Sequence, residues 1–146
     1  MSLMDGLNIS ASGMTAQRLR MDIISQNIAN VKTTRDENGQ VYRRKMVVFA
    51  EKGTEPFAAV LNSKTGTRAG NGVKVTEITE DKKTPLNMVY DPSHPDADKD
   101  GYVAYPNINT VTEMTNLIDA SRSYEANITA FNATKNMALK GLEVGK

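Results

Sequence analysis

Cysteine is absent from this chain of 146 residues, and histidine occurs once, at position 94. Without cysteine there is no disulfide framework, thiolate zinc cluster or thiol nucleophile. A single imidazole excludes multi-histidine metal sites. Tryptophan is also absent, and aromatic residues make up only 5% of a chain that is 39% hydrophobic. That excludes one large aromatic core, so most burial must come from Val, Ile, Leu, Met and Ala. Charge of one sign is lacking too: 18 Lys and Arg face 17 Asp and Glu. The balance holds along the chain, with three positive and two negative before Thr34, eleven of each from Arg35 to Tyr105, and four of each beyond. No basic stripe is left for nucleic acid or a polybasic membrane patch. No wholly apolar run is longer than that of Phe57 to Leu61, far short of the roughly 20 residues that span a bilayer. Met1 to Gly6 show neither a basic region nor an apolar stretch, so a cleavable signal peptide is not expected. Leaderless export remains open.

What the chain does have is two long helical patterns. Positions 3, 7, 10, 14, 17, 21, 24, 28 and 31 alternate steps of four and three, and seven of the nine are apolar. This spacing predicts an amphipathic helix with a coiled-coil seam. A second apolar line, Ile9, Ala16, Leu19 and Ile23, runs down another face and predicts more than one packing neighbour. The C-terminal stretch repeats the pattern at 114, 117, 121, 124, 128, 131, 135, 138 and 142, bounded by Pro106 and Gly141. Its other face, Ala126, Ala130, Ala133 and Met137, is mostly small and suits close helix approach. Leu7, Met14, Met21, Ile24 and Ile28, with Met114, Leu117, Tyr124, Ile128 and Phe131, are the candidate assembly-interface residues. The plainer alternative is that the helices pack only on each other and on a small domain. Six asparagines (27, 30, 116, 127, 132 and 136) fall in these stretches although Asn is a poor helix former. Such helices depend on partners for order, and some of the amides are expected to bond across helix contacts.

Between the helices lie all five prolines and six of the ten glycines. Val41 to Phe49, Phe57 to Leu61, Val73 to Ile78 and Leu86 to Tyr90 read as strands. Asp36-Glu37-Asn38-Gly39 reads as a turn, and Gly66 to Gly72 as a loop. The expected fold is α+β. Residues 1–34 and 107–146 form a discontinuous helical coiled-coil domain, and 35–106 a small β-rich insert.

Candidate chemistry is sparse. Asp96-Ala97-Asp98-Lys99-Asp100-Gly101 matches the opening of a calcium loop, but Asn107 stands at the twelfth position where a bidentate Glu is needed. An acidic Asx-turn is the expected structure. The Gly66–Gly72 cluster lacks the Gly-Lys-Ser/Thr ending of a phosphate cradle. Ser93 beside His94 in a proline-bounded loop does not make a nucleophile–base pair. The run Arg43-Arg44-Lys45 has no interleaved aromatics for base stacking and reads as a solvated or intersubunit face. No catalytic residue, cofactor or metal is therefore assigned, and two long helices that seek partners suit a structural subunit.

The residues Ser10-Ala11-Ser12-Gly13-Met14-Thr15-Ala16-Gln17-Arg18-Leu19-Arg20, followed by Ser25-Gln26-Asn27-Ile28-Ala29-Asn30, resemble the N-terminal signature of bacterial flagellar axial proteins of the rod and hook. Many members continue with a Thr-Pro-Gly-Tyr type of ending. Here Val31-Lys32-Thr33-Thr34-Arg35 and Tyr42-Arg43-Arg44-Lys45 stand instead, which is similar to the proximal-rod C branch of the basal-body rod proteins. Val89 to Ala97, Gly101-Tyr102-Val103, Asn107 to Met114 and Ala120 to Asn127 also match that branch. Glu51 to Lys83 carry the least resemblance. The resemblance implies terminal helices paired as a coiled coil lining an inner tube, with the insert outside. It implies helical stacking with other rod proteins and with itself into the shaft that carries torque to the hook. Basal-body ring or adaptor proteins and the flagellar type III export apparatus are the further partners it implies, with no nucleic acid and no membrane span. The location implied is the basal body in the cell envelope, reached without leader cleavage. A secreted tube-forming or adhesive helical hairpin outside the flagellum is the alternative. An enzyme would show activity that depends on His94 or the Asp96–Asp100 loop.

Overall fold

A computed structural model of the chain describes residues 3–36, 39–52 and 72–144. The order of elements is α1 (Leu3–Ala29), β1 (Lys45–Glu51), β2 (Val73–Glu80), β3 (Asn87–Tyr90), β4 (Tyr102–Tyr105) and α2 (Thr110–Val144). The class is α+β. The chain divides into two compact units: Met1–Leu19, Val48–Glu77 and Ala120–Lys146 form the first, Arg20–Val47 and Ile78–Asp119 the second. Each unit thus holds a segment of both helices.

At 1.5 Å per residue α1 is about 40 Å long and α2 about 52 Å. The periodicity carried α1 to Val31, whereas the helix stops at Ala29. There the Asn30 amide donates to the Gln26 carbonyl (2.9 Å). The Thr33 N–H then folds back on the Asn30 carbonyl (3.1 Å), and the last turn unwinds with its carbonyls satisfied. Helix α2 begins with Asn109 as cap, its Oδ1 accepting from the N–H groups of Val111 (3.0 Å) and Thr112 (3.2 Å). This is the usual use of Asn at a helix start.

Strands β1 and β2 form one two-stranded antiparallel sheet, β3 and β4 another. Strand β1 starts at Lys45 and not at Val41, because the Arg44 N–H goes to the Asn107 side chain (3.0 Å). Strand β4, Tyr-Val-Ala-Tyr, was not foreseen as a strand. The expected strand at 57–61 and all but Gly72 of the 66–72 loop lie outside the described residues. In the second sheet Tyr90 faces Tyr102 across the strands, ring on edge with centroids 5.3 Å apart.

The 91–101 connection is an acidic turn, as its spacing suggested. Asp91 Oδ1 accepts from the Ser93 N–H and hydroxyl (3.1 and 2.6 Å). The Gly101 N–H donates to the Asp98 carbonyl (2.9 Å) and the Asp98 N–H to the Tyr102 carbonyl (2.8 Å). Gly101 closes this turn at φ 79°.

Among the described residues, enclosed apolar side chains are few. Ala16 and Ala120 are buried in the first unit, and Ile23, Ile24, Val103 and Ile108 in the second. Gly72 docks the sheet in the first unit. Its φ is 71°, a Cβ there would overlap Ser12 Oγ, and the Val73 N–H donates to that oxygen (3.0 Å).

At Gly101 a side chain meets two penalties. The left-handed backbone costs an L residue about 1–2 kcal/mol, and the new Cβ would stand 2.9 Å from the Tyr90 ring. Gly101→Ala should therefore speed amide hydrogen exchange across residues 87–105 while leaving the middle of α2 unchanged. Unaltered protection of the hairpin would show that the turn does not hold it.

Candidate functional site

The sequence placed its candidate interface on one line of each helix. In the folded chain Ile24 is buried, Leu7, Met14, Met21 and Ile28 are half-buried, and so are Leu117, Tyr124, Ile128 and Phe131. Met114 is 52% exposed. Three contacts between the helices fall one residue to the side of that line. In the first unit a Cβ on Gly6 would rest 3.5 Å from Thr134, and one on Gly13 would stand 2.7 Å from the Asn127 amide. In the second unit Asn27 bonds Glu113. Small and polar residues make these contacts.

The second unit encloses a polar cluster built on Asn27. This side chain is fully buried, and all of its hydrogen-bonding capacity is used. Its amide donates to the Lys45 carbonyl (2.8 Å) and to Glu113 Oε2 (3.0 Å). Its oxygen accepts from the Lys45 N–H (2.9 Å) and the Tyr42 hydroxyl (3.1 Å). Toward β1, Asn27 thus presents the donor and acceptor that a neighbouring strand would. Asn107 acts one residue earlier as a bridge, accepting from the Arg44 N–H (3.0 Å) while donating to the carbonyls of Asp81 (3.0 Å) and Thr84 (3.3 Å). The residue that fails the calcium pattern is a clamp on the start of β1.

Glu113, on the first turn of α2, is 1% exposed. Its Oε1 takes the Arg44 guanidinium through Nε (2.9 Å) and a terminal nitrogen (2.7 Å), and also the Asn116 amide (3.2 Å). Arg44 is therefore not part of a solvated face, one of the two readings of its run of three cations. It lies against the helices because a buried carboxylate needs a counter-charge. Arg43 donates to the Asp81 carbonyl (3.3 Å), and the Lys45 ammonium lies over the Tyr42 ring at 5.4 Å. Among the described residues the one buried side-chain polar atom without a partner is Gln17 Oε1, so the cluster is fully satisfied.

Elsewhere the polar groups serve turns. Asp96 takes Arg35 (2.7 Å) and the Thr34 hydroxyl (2.7 Å), which ties the end of α1 to the acidic loop. His94 Nδ1 accepts from the Asp96 N–H (3.1 Å), and the Ser93 hydroxyl is turned to Asp91, not to His94. That hydrogen bond holds the Asp91 carboxyl below the usual value, and the Thr84 hydroxyl does the same for Asp81. Among the described residues no three His, Asp or Glu side chains converge to hold a metal, and no helix is long and apolar enough to cross a membrane. A cleft of about 650 Å³ lined by Asp36, Tyr42, Arg43, Lys45 and Glu80 mixes both charges and pairs no nucleophile with a base.

Burial, and then the carboxylates of Glu80 and Glu113, push the Tyr42 phenol above its ordinary value of 10.0. A raised native pKa means that its stabilisation is complete below the unfolded value and is lost as pH rises through the native one. Ionisation also removes the donor to Asn27. The melting temperature should therefore fall more steeply above about pH 10 in the parent than in Tyr42→Phe. Parallel alkaline profiles would show that Tyr42 does not report on the cluster.

A profile described as flagella basal body rod protein matches residues 7–35. Another, described as flagellar basal body rod FlgEFG protein C-terminal, matches residues 99–144. Asn27, Asn107 and Glu113 all lie within these segments. The flagellar basal-body rod protein FlgC of Bacillus subtilis (strain 168) is 53% identical, with all of both chains aligned. The protein of the same name from Borreliella burgdorferi is 44% identical over 99% of this chain and 98% of its own. That of Escherichia coli O6:H1 is 39% identical over the whole of both. These relatives are structural proteins of the rod, and such identity over full length settles the class. The chain belongs to the flagellar basal-body rod protein family, as a structural subunit and not an enzyme.

Proposed function

We propose that this subunit sits in the proximal rod, where it stacks helically with copies of itself and with other rod proteins into the shaft that carries torque from motor to hook. The observation that carries this reading is the uncovered apolar surface of α2. Val111, Met114 and Ile118 are 73, 52 and 54% exposed, and Met137, Leu139 and Leu142 are at least half exposed. Burying such a side chain is worth about 1.5–3 kcal/mol, so neighbouring subunits have much to gain by covering them. Contacts between unlike patches that do not close into a ring generate an open helical assembly.

Within one subunit α1 and α2 pair as an antiparallel coiled coil. The register supports this. From Gly6 to Gly13 is seven residues forward, and from Thr134 to Asn127 seven residues back. Asn27 and Glu113 continue the same register after two further heptads. Residues 1–34 and 107–146 are then the assembling helical domain and 35–106 the insert. Leu7, Met14, Met21, Ile24, Ile28, Met114, Leu117, Tyr124, Ile128 and Phe131 serve the packing of that domain, within the subunit or between subunits. Ring and adaptor proteins of the basal body contact the outside. The flagellar type III apparatus exports the chain without cleavage.

Ile118→Lys separates folding from assembly, because a half-exposed site lets the ammonium reach water. Subunit stability should change by no more than about 0.5 kcal/mol, yet cells should make the protein and build no hook. Ile128→Lys, at a half-buried site, should also abolish the rod, while Lys140→Ala is tolerated. Swimming cells with the Ile118→Lys subunit in their basal bodies would sink this reading.

A further inference from the structure

We infer that Arg44 is a positioning residue that makes the pairing of α1 with α2 conditional on the start of β1 being docked. The inference rests on the reading of the helix pair as the assembling element and adds how that pair is controlled. In the second unit the helices meet through two buried polar side chains, Asn27 and Glu113. Neither can be enclosed by the helices alone. Of the four hydrogen bonds made by the Asn27 amide, three run to Tyr42 and Lys45. The cation on Glu113 comes from Arg44. All three partners belong to the short segment that enters β1.

With that segment absent, closing α1 on α2 would bury a carboxylate whose remaining donors are two neutral amides, from Asn27 and Asn116. It would also leave Asn27 with most of its polar atoms unpaired. Burial of that kind opposes closure. With the segment in place, the same groups hold the helices together. Insert and helix pair are thereby coupled: a chain whose first strand has not docked keeps its helices apart at this end and cannot present a finished surface to the rod.

The coupling is lopsided, and that gives it a test. Glu113 is enclosed, whereas the Arg44 side chain is 26% exposed and can turn to water when its partner is lost. Spin labels on Ser25→Cys and Thr115→Cys, both exposed, report the distance between the helices, and no native cysteine competes. In the full-length parent, pulsed electron resonance should give one narrow distribution. Arg44→Met should lose the narrow population, Glu113→Leu should keep it, and Arg44→Met with Glu113→Leu should recover it.

A narrow distribution in Arg44→Met overturns the inference and leaves the helix pair intact. Equal loss in both single variants, or no recovery in the double, also overturns it, since the pair would then be ordinary structural glue. A broad distribution in the parent overturns the pairing reading itself, and this inference with it.

Discussion

One carboxylate organises the second unit. Glu113 is sealed from water, and an ion in that position must be neutralised and hydrogen-bonded or expelled. Each group that satisfies it brings a different part of the chain: Arg44 the start of β1, Asn27 the end of α1, Asn116 the next turn of α2. Asn107 then ties Arg44 to Asp81 and Thr84, at the far end of β2. Breaking such a pair from one side costs about 3–5 kcal/mol, a large share of the stability of a small domain. Apolar burial near it is modest: Ile23, Ile24, Val103 and Ile108. Polar geometry, more than apolar volume, specifies this unit.

The first unit is built differently. Among the described residues, α1 meets short side chains and backbone there: Gly6 with Thr134, Gly13 with Asn127, and Ser12 with the backbone at Gly72 and Val73. Close approach through glycine gains dispersion contacts but little discrimination. Met137, Leu139 and Leu142 remain in water, as do Leu3 and Met4. Such exposed apolar side chains have much to gain from neighbours, which suits a subunit of the rod.

Much of this was readable in advance. Two helices with apolar lines at heptad spacing, and a β-rich stretch between them, follow from period and from the placing of Pro and Gly. The second apolar line on α1 foretold a second packing neighbour, and Ala16 and Ile23 are indeed buried. The site was less legible. Periodicity locates apolar residues, whereas the contacts at Gly13, Asn27 and Glu113 fall on positions that a hydrophobic pattern counts as gaps. A clue was present in the asparagines, costly inside a helix unless an amide is needed: Asn27 bonds across to another element, and Asn127 lies against Gly13 of α1. Asn30, Asn116 and Asn127 bond within a helix or its end, and Asn132 and Asn136 face water. Arg44 looked like one of three solvated cations because its partner lies 69 residues away. Strand β4 was missed because four residues between a turn and a proline are too few to show a period.

The polar contact also answers a problem that the apolar pattern creates. Lines that repeat every seven residues leave two helices nearly as well packed after sliding by one heptad, with loss only at the ends. On the antiparallel pairing proposed here, such a slide in one direction sets Glu113 against Thr34, and in the other it sets Asn27 against Pro106. The second slide also sets Glu113 against Arg20, but neither restores the Asn27 contacts to Lys45, which are fixed by a strand that does not slide with the helices. A buried polar group is a weak source of net stability but a strong source of register. In a single molecule, a small population in the wrong register would matter little. In a shaft every subunit is a link, and a slipped one would present its exposed apolar residues a turn or two out of place to every neighbour. On that pairing, uniqueness of register matters to a rod subunit as well as free energy of folding, and the enclosed Asn27–Glu113–Arg44 contact is where this chain would secure it.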